Sequence, residues 1–201
     1  MNDHIEQLTR LFLKFPGIGA RQARRFAYFI LSQQESYVKS LAGALLDARA
    51  QAHTCTRCFR IYEGHEGLCH LCSDTTRNQE MLVVVEKSTD IEAFMKTDYH
   101  GLFFVLGGLI PIVQKHIVEG TNAKALVERI KKENNTEIIL AFPLTPNGDH
   151  TDAVVRELLA PHASQISSLG RGLSIGTELE YADPASLSAS LKRENKKTLL
   201  R

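Results

Sequence analysis

The chain has 201 residues, of which 43% are hydrophobic and 23% charged, with a net charge of +1. That suits one or two globular domains with a real core. It excludes a membrane span, which needs roughly 18 consecutive apolar residues, and it excludes a globally basic nucleic-acid binder.

The opening "MNDHIEQL" has no basic segment followed by an apolar run, so it does not read as a signal peptide, and a cytoplasmic location is expected. Ile5, Leu8, Leu11, Phe12 and Phe15 recur at helical spacing. Pro16, Gly17 and Gly19 interrupt the pattern, and Ala23, Phe26, Ala27, Ile30 and Leu31 resume it. Helices over 5–15 and 20–33 are therefore predicted around a tight hairpin. A third, over 36–52, carries Val38, Leu41, Leu45 and Leu46 on one face.

From Gln7 to Gln34 there is no acid, while Arg10, Lys14, Arg21, Arg24 and Arg25 are all basic. Glycines that can take positive φ expose backbone amides, and a helix beginning at once points its first N–H groups at the same spot. Such a corner grips phosphate without reading a base. Lys14, Gly17, Gly19, Arg21, Arg24 and Arg25 are the candidate nucleic-acid contacts. The plainer reading is a helix corner whose arginines face water, with Phe26 and Ala27 in the core.

Residues 53–78 change character, with few large apolar groups and all four cysteines of the chain: "CTRC", ten residues, then "CHLC". Each two-residue gap lets a pair of sulfurs converge, and Cys55, Cys58, Cys69 and Cys72 together make a closed tetrahedral shell for one structural Zn²⁺. The metal would supply folding energy that this core-poor segment lacks. Two disulfides or free thiols are the alternatives. His53, His65 and His70 compete as ligands only if a sulfur is missing. Arg57 and Arg60 flank the site, either touching phosphate or forming a solvated face.

From Met81 the texture changes again. "MLVVV", "LFFVL" at 102 and "EIILAF" at 137 are short, strand-like runs, with helical periods between them at about 89–97 and 122–134. Alternating strands and helices predict a mostly parallel sheet with helices packed on it. Residues 171–183 read as a glycine-bent acidic connection. Pro184–Asn195 reads as a closing helix capped by Asp183, with Leu187 and Leu191 one turn apart for packing on a neighbour. The last ten residues hold five bases and one acid.

Taken together, these parts resemble the RecR recombination-mediator family along almost the whole chain. "LFLKFPGIGARQARRFA" resembles its helix-hairpin-helix, and "CTRC…CHLC" its C4 zinc finger. "LVVVEKSTDIEAF" and "GLFFVLGGLIP" resemble the opening of its Toprim domain, and "GRGLSIGTELEYADPASLSASL" resembles its C-terminal signature. The resemblance implies a multi-part α+β chain. Its expected parts are a helix-hairpin-helix over 1–52, a C4 zinc finger over 53–78, an α/β Toprim domain with a parallel sheet over 79–170, and a C-terminal segment with an oligomerisation helix over 171–201.

It also implies a ring-forming DNA-binding scaffold, a dimer or tetramer. Such a scaffold acts with a RecO-like protein, and in many bacteria a RecF-like one, to load RecA at gapped DNA. Catalytic Toprim domains hold Mg²⁺ with a strand-end glutamate, an Asp-x-Asp pair and a Glu-Gly-Glu. Here Glu86 keeps the first position, Pro143 and Thr145 stand at the aspartates, and Asn147, Gly148 and Asp149 replace the last motif. Phe103 and Phe104 replace a usual Tyr-His. Glu86, Asp90 and Asp149 are the remaining acids, a vestigial set or a partner contact, so a non-enzymatic clamp is expected. A metal-dependent Toprim nuclease or topoisomerase-like enzyme is the alternative, and a zinc-stapled RNA-binding module is a third reading.

Overall fold

The computed structural model describes residues 4–112, 120–133 and 137–170. The expected acidic connection, closing helix and basic end, all beyond 170, lie outside the described residues. The chain divides after Ala52 into two compact units.

The first unit holds α1 (His4–Phe12), α2 (Ala20–Ser32) and α3 (Glu35–Gln51). α1 stops three residues short of the predicted end. Its last amides tighten to shorter bonds, Lys14 N to Leu11 O at 3.2 Å and Phe15 N to Phe12 O at 3.1 Å, and Pro16 offers no N–H to continue. Ala23 and Ala27, both fully buried on one face of α2, are small enough for the helices to approach closely, and Thr9 of α1 is buried too. The Phe12 ring meets Phe15 and Phe26 at 5.7 and 5.8 Å between centroids.

Two expectations fail here. Phe26 is 38% exposed rather than core. No residue of α3 is buried, and Leu45 and Leu46, meant for a packing face, are 62% and 72% exposed. Helical period marks an apolar stripe but not what covers it.

The second unit begins with the short strands β1 (Ala52–Thr54) and β2 (Ile61–Glu63), paired with each other, and the single turn α4 (His70–Ser73). It continues with β3 (Asn78–Val85), α5 (Ser88–Phe94), β4 (Gly101–Val105), α6 (Ala123–Glu133), β5 (Glu137–Ala141), α7 (Pro146–Leu159) and β6 (Gln165–Ser168). The four long-range strands form one parallel sheet in the order β4-β3-β5-β6. Its continuous apolar strands are what a sheet covered on both faces requires.

Alternation along β3 divides the core. Leu82 and Val84 face Leu126 and Ile130 of α6 and Val155 and Leu159 of α7. Val83 and Val85 share the other face with Phe103, Val105, Ile91 of α5 and the four cysteines. Phe103 and Phe104 are 1% and 0% exposed. The two rings expected to stand in place of Tyr-His therefore lie in the sheet's interior.

Five described elements have no counterpart among the predicted ones: β1, β2 and α4 in the cysteine segment, and β6 and α7 in the sheet unit. β6 is four residues, too short and polar to show a pattern. α7 carries its own start signal: the Thr145 hydroxyl caps Gly148 N at 3.1 Å, Pro146 opens the helix, and Asp149 sits in its first turn. Gly148 is obligatory, since a Cβ there would lie 1.9 Å from the Pro143 carbonyl oxygen.

Candidate metal centre and nucleic-acid interface

Cys55, Cys58, Cys69 and Cys72 are buried, and their sulfurs all lie within 4.8 Å of one another. A tetrahedron of ~2.3 Å Zn–S bonds has edges of about 3.8 Å, and the Cys58 and Cys69 sulfurs stand 3.6 Å apart. Tight turns make the convergence: Phe59 N donates to Cys55 O at 2.9 Å, and Cys72 N to Cys69 O at 2.9 Å. The Cys69 amide also donates to the Cys55 sulfur at 3.3 Å, the kind of bond that steadies a thiolate ligand.

The bond to Cys69 pushes the Cys58 thiol up to about 12. Cys72 is likewise raised, first by its bond with Cys58, while bonds from Cys58 and Cys72 draw Cys69 down. Four thiols this close cannot all ionise without a cation among them, so the donor set fits a divalent metal. None of the three neighbouring histidines joins the cluster.

The knuckle is fastened to the sheet. Val105 N donates to Cys58 O at 2.8 Å. Phe59, in the left-handed region at φ 62, lays its ring 5.3 Å from Phe104. Arg57 and Arg60 neither form a solvated face nor stand ready for phosphate. Arg57 grips Glu133 of α6 with two nitrogens, at 2.8 and 3.0 Å, and donates to Cys72 O at 3.2 Å. Arg60 pairs with Glu92 at 3.0 Å.

Arg129, 6% exposed, completes the brace through Glu133 at 2.9 Å, the Phe103 carbonyl at 2.8 Å and the Arg57 carbonyl at 3.3 Å. Burial pushes the Glu133 carboxyl up, but the bonds from Arg57 and Arg129 outweigh it and hold the group below its usual range. Glu133→Gln should therefore cost about 1–3 kcal/mol and lower the melting temperature by several degrees in thermal unfolding, roughly 2–4 °C per kcal/mol.

In the first unit, only one of the two hairpin glycines needs to be glycine for its backbone: Gly17 has φ +76, whereas Gly19 is extended at φ −86 and serves as the α2 N-cap. A Cβ at Gly19 would meet nothing within 4 Å, so the packing of the chain does not itself require glycine there. The first bond of the α2 ladder is Ala23 N to Gly19 O at 3.0 Å, which leaves the amides of Ala20, Arg21 and Gln22 ahead of it. Lys14 lies exposed in the same connection.

Arg21, Arg24 and Arg25 are exposed and share the wall of one groove of about 720 Å³. Arg24 reaches Glu6 of α1 at 3.1 Å. Among the described residues, Arg21 and Arg25 have no acidic partner within 4.0 Å.

A second hollow, of about 820 Å³, lies beyond the carboxyl ends of β3 and β5, where the strand order reverses. Glu86, Asp90, Asp149 and Asp152 all line it. Its position is the ordinary ligand crevice of an open parallel sheet. The acids do not meet as a ligand cluster: among the described residues, only the cysteines form such a group. Asp90 accepts from the Lys87 amide at 3.0 Å and caps α5. Asp152, absent from the candidate acids above, is engaged by Arg156 at 3.1 Å and by the Ser168 hydroxyl at 2.6 Å.

A family model described as RecR, helix-hairpin-helix matches residues 5–49, and one described as Toprim domain matches residues 80–169. The Recombination protein RecR of Prochlorococcus marinus (strain MIT 9301) is 37% identical over 193 residues, covering 96% of both chains. The chain belongs to the RecR family. Its namesake in Latilactobacillus sakei subsp. sakei (strain 23K) is 34% identical over 184 residues, covering 91% of this chain and 92% of that one.

Membership places the chain among recombination proteins and confirms the helix-hairpin-helix and the parallel Toprim sheet. No helix among the described residues is long and apolar enough to cross a membrane. Thr145, read above as standing where a Toprim aspartate is expected, caps α7. No sequence signal points to the brace of Arg57, Glu133 and Arg129, because its members lie up to 76 positions apart.

Proposed function

We propose that this protein is a non-enzymatic DNA-binding clamp and mediator of recombinational repair. In this reading it assembles into a homo-oligomeric ring, dimer or tetramer, and works with a RecO-like partner, which in many bacteria is joined by a RecF-like one. Together they promote RecA loading at gapped DNA. Residues 1–52 contact DNA through Lys14, Gly17, Gly19, Arg21, Arg24 and Arg25. Residues 53–78 hold a structural Zn²⁺, one per chain, and 79–170 form the Toprim domain. The segment 171–201 contributes to assembly. Glu86, Asp90 and Asp149 are left as vestigial acids or as a partner contact.

The observation that carries the reading is the exposed arginine wall of α2 beside a turn with open backbone amides. One such wall binds weakly, since each phosphate contact adds a modest, salt-sensitive contribution. A ring repeats it and gains through effective concentration. The uncovered apolar residues of α3 support association with further copies. Solution mass with and without gapped DNA tests this: an oligomer that takes up DNA is expected, and a strict monomer that ignores it would refute the ring.

The second reading, a metal-dependent nuclease or topoisomerase-like enzyme, rests on Glu86 in the crevice. Phosphodiester chemistry with Mg²⁺ needs several carboxylates around the ion, and Asp90 and Asp152 already serve other bonds. Plasmid DNA incubated with Mg²⁺ or Mn²⁺ should therefore stay intact. Nicking that Glu86→Gln removes would establish the enzyme instead.

A further inference from the structure

The groove on α2 is more than an arginine wall. Its lining is Arg21, Arg24, Arg25, Tyr28, Phe29 and Ser32. The steps 21, 24, 25, 28 and 32 run along one helix face, opposite the buried Ala23 and Ala27. Tyr28 is 56% exposed. Phe29 has a partner for its ring, Tyr37 at 6.2 Å edge-on, whereas among the described residues no ring pair includes Tyr28. An exposed aromatic two turns from Arg21, about 10 Å along the helix, is unexplained by phosphate contact alone.

We infer that Tyr28 is a stacking platform for an unpaired base, making this groove a single-strand DNA site rather than a general phosphate grip. The inference rests on the DNA-binding reading above and adds which form of DNA is preferred. The guanidinium groups supply the charge complementary to the phosphates, and the ring supplies a face that every base can use without sequence preference. A duplex satisfies the arginines equally well, but its bases are already stacked inside and cannot reach the ring. A strand edge exposed at a gap can do both.

The test uses the full-length protein and three probes of equal length: a single-stranded oligothymidine, a blunt duplex and an abasic strand. Tyr28→Ala should weaken the single strand roughly tenfold, consistent with the loss of one stacked base. It should leave the duplex and the abasic strand within twofold and keep the salt slope, because no charge is removed. Tyr28→Phe should bind like the parent. A bromodeoxyuridine strand should crosslink at Tyr28 on irradiation.

Equal loss on all three probes, no loss on any, or a change in solution mass with Tyr28→Ala would overturn the inference; the last would place the ring in a contact between copies. A parent protein that binds duplex and single strand alike, insensitive to Tyr28, overturns only this inference. A parent that binds no polynucleotide overturns the DNA-binding reading with it.

Discussion

Alanine at Arg21, Arg24 and Arg25 together is expected to abolish DNA binding while leaving fold and oligomer intact. The three side chains are exposed and line one groove. The single ion pair among them, Arg24 with Glu6, is solvent-exposed, and pairs of that kind add little stability. Each charge-assisted bond to phosphate is worth about 1.5–3 kcal/mol. Losing three should cost on the order of a thousandfold in affinity per site. The logarithmic salt slope should also flatten by about 0.9 per contact on duplex DNA. Fluorescence anisotropy across a salt series measures both quantities, and mass photometry checks the assembly. Unchanged affinity at low salt would mean that the arginine wall faces something other than DNA.

Removing the metal is expected to collapse more than the knuckle. Structural zinc contributes an apparent ~10–16 kcal/mol in small zinc modules, against a whole-domain stability of about 5–15 kcal/mol. Here the four cysteines belong to the same buried cluster as Val83, Val85, Phe103 and Val105. Without the ion, the segment lying on that face of the sheet loses its fold, and the strands beneath it are exposed to water. A strong chelator or Cys69→Ser should therefore produce aggregation and the loss of a cooperative melt. Elemental analysis of the native protein should find about one zinc per chain. A melt unchanged after verified metal loss would show that hydrophobic contacts alone hold the segment in place.

The parts of this protein written in short-range spacing are legible in the amino-acid sequence alone. Two Cys-x-x-Cys hooks specify a four-sulfur cluster because convergence of each pair depends on a local turn. Apolar runs at 81, 102 and 137 specify strands because a sheet buried on both faces tolerates little else. The α1–α2 hairpin follows from Pro16 and from Gly17, whose φ of +76 few other residues accept. α7 has a local start signal of the same kind in Thr145, Pro146 and Asp149. Its first seven residues, "PNGDHTD", contain no large apolar side chain, so the helical period that marks the other helices is missing from half its length.

What spacing cannot convey is which surfaces meet. By position Arg57 is a free cation beside a four-cysteine metal site, yet it reaches Glu133, 76 positions away. By motif Phe103 and Phe104 stand where a Tyr-His is usual, yet the sheet buries both. Val38, Leu41, Leu45 and Leu46 have helical period, yet the single chain leaves their helix without a buried residue. The sequence by itself determined the local elements, the metal-binding shell and the acid-free basic turn, since each depends on neighbours a few residues apart. Only the tertiary structure decided that the knuckle is one layer of the sheet's core, that Asp152 of the crevice is held by Ser168, and that Tyr28 stands open beside the arginines. Those outcomes depend on contacts between distant segments, whose partners are chosen when the whole chain buries its apolar surface at once.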